Sequence, residues 1–362
     1  MTSVLRRPCA GPAVWSGPDP ADLDEWALRL APARIDGIEA ALRVVRERGV
    51  PLLKVSARDC LLPAPAGELE RVAGVWGDGR GVVLITRVPV GRCSRAAAST
   101  RFWGLGQRLG TPWWQNAAGR VLGHARGAGR RMADPATRGC RTGEGLLFDT
   151  DGSDVLGLVG LVGLLCLRTA RSGACAAVVS SAAVCSVVPA RGPDLVERLY
   201  RGPFLDRREE QAPGGRPYDA VWLVSWHGGK LGIRCNRSCP ESAQRFPGVV
   251  RPQPADGELF GLIGGPAVSP ELRRDVGFEV GGLLLGNRAM FHCRTAYEDF
   301  AEAGPRRDVL RLWSAPGQGR GLPPGFGGGL HCTEGPARGG ITPREVVVKQ
   351  NSAGLTGSRR LR

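Results

Sequence analysis

Leu146-Leu147-Phe148-Asp149-Thr150-Asp151-Gly152-Ser153-Asp154 is the stretch on which the fold turns. Three apolar residues lead into two carboxylates at i and i+2, and Gly152 follows. Alternate side chains of a strand share a face, so extended chain here presents Asp149 and Asp151 together. Far downstream stand Asn287-Arg288-Ala289-Met290-Phe291-His292 and then Arg307-Asp308-Val309-Leu310-Arg311-Leu312-Trp313. In the last piece, alternation puts Arg307, Val309, Arg311 and Trp313 on one face and Asp308, Leu310 and Leu312 on the other. Two Arg on an inward face are costly unless they meet anions. Spacing alone leaves both kinds of anion open, a neighbouring Asp or Glu and a bound ligand.

A non-haem iron centre uses two His and one carboxylate on one face of the metal and keeps the other positions open. A strand supplies two such ligands at i and i+2, and the third folds back from elsewhere. Asp149-x-Asp151 with His292 has this layout with one ligand changed. The run Phe148 to Asp154 together with Asn287-Arg288, His292 and Arg294-Thr295-Ala296-Tyr297-Glu298-Asp299-Phe300 resembles the TauD/TfdA family of Fe(II)/2-oxoglutarate-dependent dioxygenases. Trp103-Gly104-Leu105-Gly106, Gln115-Asn116-Ala117, Asp206-Arg207-Arg208, Asn236-Arg237-Ser238 and Glu241 to Gly248 carry the same resemblance, which spans residues 10–345.

The resemblance implies a mixed α/β, mainly β chain with a double-stranded β-helix (jelly-roll) core and helices packed outside. It implies Fe(II) as cofactor and 2-oxoglutarate as cosubstrate, with a C–H bond of a small substrate hydroxylated and succinate and CO2 released. Asp151 and His292 become metal ligands, and Asp149 stands where the family has its first ligating His. Arg307 would fork onto the distal carboxylate of 2-oxoglutarate, a planar pairing that Arg makes well. Arg311 would sit nearer the substrate or the cosubstrate's other end.

Three departures stand out. Asp149 replaces a His, Ala176 aligns with a Ser or Thr whose hydroxyl helps hold the cosubstrate, and Gly282 replaces the Asp of a turn. A carboxylate at position 149 adds a negative charge beside Asp151. Two carboxylates already neutralise a dication, attract a dianionic cosubstrate less, and shift preference toward Mn2+ or Mg2+. The alternative reading is therefore a catalytically impaired relative that keeps the fold as a binding scaffold. His124, His227 and His331 lie in a loop, a hairpin and the tail, and none is placed to substitute.

The rest of the chain sets bounds. Its 362 residues include 54 Gly and 28 Pro, which favours turns over long helices. No apolar run reaches the ~20 residues of a membrane helix. The N-terminus lacks the apolar core of a secretory signal. An intracellular, cytoplasmic protein is expected, and a short Arg-bearing import sequence stays open. Eleven Cys without paired CxxC spacing read as reduced thiols rather than a disulfide frame or zinc site. The net charge of +15 is spread along the chain with no basic block. That favours a compositional bias over a nucleic-acid surface and allows an anionic small substrate. Self-association as a homo-oligomer stays open.

Residues 1–30 read as an extended arm anchored by Trp15 and Trp26, residues 31–320 as the jelly-roll domain, and residues 321–362 as a Gly/Pro-rich tail. Helices are expected over 35–45, near Glu68 to Trp76, over Ala96 to Leu109, from Pro193 to Tyr200, and near Glu271. Strands are expected at Gly81 to Ile85, Phe278 to Val280 and Leu283 to Leu285, with a hairpin around Gly228-Gly229. Ala177 to Val188 reads as strand then helix. Residues 115–145 read as a long loop. The repeated Gly-Leu-Val after Asp154 suggests a six-residue insertion, Val159 to Leu164, lengthening a strand by ~20 Å and forcing a bulge or protruding turn.

Overall fold

The computed structural model describes residues 4–17, 26–59, 66–91, 93–152, 160–211, 214–301 and 306–315. Their principal strands are β1 (Ala27–Arg29), β2 (Val82–Thr86), β3 (Thr111–Trp113), β4 (Leu122–Ala125), β5 (Leu146–Asp149), β6 (Leu161–Arg168), β7 (Ala176–Ser180), β8 (Arg274–Val276), β9 (Leu283–Asn287), β10 (Met290–Arg294) and β11 (Asp308–Ala315). The longer helices are α1 (Pro32–Glu47), α2 (Ala66–Gly77), α3 (Arg95–Leu109) and α4 (Pro254–Val268). The result is a mixed α/β, strand-rich fold.

Two sheets organise it. The larger runs β1-β2-β9-β6-β11-β3, with β4 also on β11, and the smaller runs β8-β7-β10-β5. Side chains from both meet between them: Val82, Leu84 and Leu284 of the larger pack with Val178, Val276 and Met290 of the smaller. Strand alternation sorts the larger sheet's residues. Leu161, Leu165, Leu283, Leu285, Leu310 and Leu312 enter the core beneath the helices. Leu164, Leu284, Val309 and Arg311 face the space between the sheets.

The helices form where local signals say they should. Pro32 opens α1, and Ile38, Ala41, Leu42 and Val45 bury one stripe. Ser94 caps α3 by accepting a hydrogen bond from the Ala97 amide at 3.2 Å. A Cβ on Gly106 would stand 2.1 Å from Leu312 Cδ2, so a larger residue there would make the Leu312 side chain move aside. Trp15 and Trp26 are buried, and Trp15 Nε1 donates to the Arg80 carbonyl at 3.0 Å.

Several expectations need correction. The helix expected near Glu271 lies earlier, at Pro254–Val268. Gly257, Gly261, Gly264, Gly265 and Pro266 argue against helix by propensity. A capping box between Gln253 and Asp256, and burial of Leu259, Ile263 and Ala267 on one face, outweigh them. Phe278 to Val280 is not a strand; its place in the smaller sheet is taken by β8. Within the expected insertion, Leu161 to Leu164 continue β6 in unbroken register with β9, and no bulge falls there. The irregularity instead falls at the start of β11, between Asp308 and Val309. Val159 and the tail over 321–362 lie outside the described residues.

No helix among the described residues is long and apolar enough to cross a membrane.

Candidate active site

β5 is the edge strand of the smaller sheet and pairs antiparallel with β10, with His292 opposite Asp149. Thr150, between the two Asp, is fully buried on the opposite side. Its backbone N–H donates to the Cys235 carbonyl at 2.8 Å, and its hydroxyl accepts the Cys235 N–H at 3.0 Å. This clamp turns both carboxylates of the i, i+2 pair inward. On β10, Met290 fills the inter-sheet core, while His292 and Arg294 line a cavity of about 330 Å3. Asp149, Asp151, Arg307 and Arg311 line it too. Chain folding thus brings all five sequence-predicted side chains to one cavity, of a size that suits a small molecule.

His292 Nε2 lies 3.8 Å from Asp149 Oδ1 and 3.9 Å from Asp151 Oδ2. These gaps are too wide for direct hydrogen bonds. Two donors sharing a first-row divalent ion at ~2.1 Å can be up to about 4.2 Å apart, so a cation fits between them. The second oxygen of each carboxylate is held elsewhere. Asn236 Nδ2 donates to Asp149 Oδ2 at 2.7 Å, and Arg311 Nη1 donates to Asp151 Oδ1 at 2.7 Å. Among the described residues, however, no group of three His, Cys, Asp or Glu is drawn together as a finished metal site. The donor types, two carboxylates and a neutral imidazole, suit a divalent cation.

Electrostatics follow from the packing. Burial pushes the His292 imidazole below the ordinary His range; Asp151 works against the shift and Arg311 adds to it. Its Nδ1 is buried without a hydrogen-bond partner among the described residues, which also disfavours the doubly protonated ring. The neutral ring is the form that ligates a metal. For Arg311, burial opposes the charged form, but the Asp151 carboxylate outweighs it and holds the guanidinium above its ordinary value. Gln115 completes this couple: its Oε1 accepts Arg311 Nε at 2.8 Å, and its Nε2 donates to the Val121 and Arg311 carbonyls at 2.6 and 2.7 Å. Cys293, also on the cavity wall, is pushed up to about 11 by burial, so it stays a thiol at neutral pH.

Arg307 has different surroundings. It is 8% exposed, donates through Nη1 to the Ala125 carbonyl at 3.3 Å, and lies 5.2 Å over the Tyr297 ring. No acidic side chain among the described residues forms an ion pair with its guanidinium. Ala176 lines the cavity with a methyl group, so that position offers no hydroxyl. His124 binds Asp308 at 2.7 Å, His227 sits exposed in its hairpin, and neither lines the cavity. His331 lies outside the described residues.

Residues 126–145 form one wall of the cavity. Arg294 holds this wall by donating to the carbonyls of Gly139, Thr142 and Glu144 at 3.2, 2.8 and 2.7 Å. Arg138 adds an ion pair to Glu210 across the gap to the turn after Asp206. Sequence reading did not assign roles to Asn236, Gln115 or Arg294. All three stood inside matched motifs, the one signal that marked them out.

The fold and the comparisons place the chain among iron- and 2-oxoglutarate-dependent dioxygenases, which are oxidoreductases. It belongs to the taurine catabolism dioxygenase TauD, TfdA family, whose model matches residues 53–313. Among curated proteins it is similar to FR-33289 synthase of Streptomyces rubellomurinus (strain ATCC 31215), at 26% identity over 329 residues, covering 89% of this chain and 95% of that one. Among solved structures, its fold is similar to asparagine oxygenase in complex with Fe(II), 2S,3S-3-hydroxyasparagine and succinate. The TM-score is 0.62 at 14% identity, covering 80% of this chain and 93% of that one. It is also similar to the non-heme iron oxygenase OrfP in complex with Fe and alpha-ketoglutaric acid, with a TM-score of 0.55 at 15% identity, covering 80% and 94%.

Proposed function

We propose that this protein is an Fe(II)/2-oxoglutarate-dependent oxygenase that hydroxylates a small molecule and releases succinate and CO2. The observation that carries the reading is the meeting of His292 Nε2 with one oxygen each of Asp149 and Asp151, inside a cavity that also buries the Arg307 guanidinium, with which no acidic side chain among the described residues forms an ion pair. His292, Asp151 and Asp149 would hold the metal, which when bound supplies oxygen activation. Arg307 would hold the distal carboxylate of 2-oxoglutarate, a buried cation meeting an anion it otherwise lacks. Arg311 stands at the metal end of the same face, where it orients Asp151 and borders the cosubstrate. Leu164, Leu284 and Val309 give the cavity an apolar wall on the side of the larger sheet.

The two facing sheets are the walls of a double-stranded β-helix in this reading. Residues 31–320 are the catalytic domain, 1–30 its arm and 321–362 a tail. An amino-acid-sized substrate suits the cavity volume and matches the hydroxyasparagine in the asparagine oxygenase complex. A second reading, a binding scaffold of the same fold, draws support from Asp149 and from Ala176. Succinate formation from 2-oxoglutarate with Fe(II) under air separates the two. Turnover that Arg307→Leu abolishes supports the oxygenase. No turnover, with 2-oxoglutarate still bound by the natural protein, supports the scaffold.

A further inference from the structure

Tyr297 joins two parts of the cavity that lie far apart in the chain. Its ring carries the Arg307 guanidinium at 5.2 Å and the Arg294 guanidinium at 4.8 Å. The negative face of an aromatic ring attracts such cations, most strongly where water is excluded. Arg307 is the buried cation at the proposed cosubstrate end, and Arg294 holds the 126–145 wall by three of its carbonyls. The wall also rests on Tyr297 itself. The Tyr297 hydroxyl accepts the Gly127 N–H at 2.7 Å, and the Tyr297 backbone N–H donates to the Gly143 carbonyl at 2.9 Å. A Cβ on Gly127 would stand 3.0 Å from that hydroxyl, and one on Gly143 would stand 3.2 Å from the Tyr297 carbonyl. Near both of its ends, the wall thus presses on this one residue.

Two guanidinium groups beside one ring also repel each other, because buried charges are poorly screened. A carboxylate on Arg307 offsets that repulsion and so favours the arrangement in which Arg294 grips the wall. We infer that Tyr297 is a positioning residue that couples a dicarboxylate on Arg307 to the seating of the 126–145 wall, each stabilising the other. Such coupling is reciprocal: seating the wall tightens the dicarboxylate by the factor with which the dicarboxylate seats the wall. The inference rests on the cosubstrate role proposed for Arg307 and goes beyond it, because it gives that binding event a second effect, on the wall of the cavity.

2-Oxoglutarate added to the purified full chain under chelator provides the test. Calorimetry reads its binding, and limited proteolysis reads the opening of the wall. Bound 2-oxoglutarate should slow cleavage within 126–145 by about fivefold or more. Tyr297→Phe keeps the ring and removes the hydroxyl bond to Gly127. It should speed cleavage in the free protein and cut the protection given by 2-oxoglutarate to under about twofold. A merely structural Tyr297 would speed cleavage equally with and without 2-oxoglutarate, so an unchanged protection ratio in Tyr297→Phe would overturn the inference. Hydrogen exchange on the natural chain needs no variant: the Gly127 and Tyr297 amides should exchange about fivefold more slowly with 2-oxoglutarate bound. Binding seen by calorimetry with no change in cleavage or exchange overturns the inference and leaves the Arg307 reading standing. No binding of 2-oxoglutarate at any concentration up to millimolar brings down the Arg307 reading, and the inference with it.

Discussion

Arg307 and Arg311 share one face of β11 yet meet different needs. Arg311 is satisfied by Asp151 and Gln115. Arg307 is as buried; its guanidinium meets the Ala125 carbonyl and the Tyr297 ring, and its backbone N–H donates to Asp299 Oδ1. A desolvated cation without a counter-charge is expensive, so a chain that keeps one gains something when an anion arrives. Arg307→Lys keeps the charge but loses the planar fork. With charged hydrogen bonds worth ~1.5–3 kcal/mol, the half-saturating concentration of 2-oxoglutarate should rise about 10–100-fold. Mn2+ affinity should stay within about twofold, since the change leaves all three donors in place. Calorimetry with each ligand separately reads both numbers, and a matched loss for the two ligands would show that the substitution disturbs the whole site.

β11 and β10 show how single strands divide their labour. Leu310 and Leu312 of β11 seal the core under α3, while Val309 and Arg311 line the cavity. Asp308, at the irregular start of β11, is buried against His124, with Arg95 and Arg168 nearby. Burial alone would raise its carboxyl, but His124 and the neighbouring Arg hold it below the usual carboxylate value of 3.8. A depressed native value stabilises the fold above the unfolded value and loses that stabilisation as pH falls through the native one. Asp308→Asn should therefore lower the unfolding free energy read from urea titration at neutral pH by about 1 kcal/mol, because its Arg95 and Arg168 partners are half-exposed and screened by solvent. It should also flatten the acid side of the stability curve below about pH 4. On β10, Arg294 anchors the wall formed by residues 126–145 through three carbonyls outside its own strand. Arg294→Met should leave the far-ultraviolet circular dichroism unchanged, speed limited proteolysis within 126–145, and raise the substrate KM more than it lowers kcat. β11 and β5 were legible in the sequence because period-two alternation and the i, i+2 pair are local, whereas β10 was not read as a strand. α4 was not, because its glycines hide a helix that capping and tertiary burial enforce. Nor were the roles of Asn236 and Gln115, whose partners lie 87 and 196 positions away.

At the scale of the whole molecule, the site exists only when both sheets are formed. β5 and β10 of the smaller sheet bring Asp149 and His292, the turn after β5 brings Asp151, and β11 of the larger sheet brings Arg307 and Arg311. None of these donors is near another in the unfolded chain except Asp149 and Asp151, so a cation that needs all three binds the native state in preference. Such a ligand adds RT ln(1 + [L]/Kd) to stability, about 2.7 kcal/mol at a hundredfold excess over Kd. Mn2+ should therefore raise the thermal midpoint of the natural protein by several degrees and should shift with its concentration. His292→Ala removes the neutral nitrogen donor while leaving the Phe291 core contact and the strand pairing in place. In that variant the Mn2+-dependent rise should vanish while the metal-free midpoint moves little. A rise that survives His292→Ala would place the cation elsewhere on the molecule, and with it the functional reading of the cavity between the sheets.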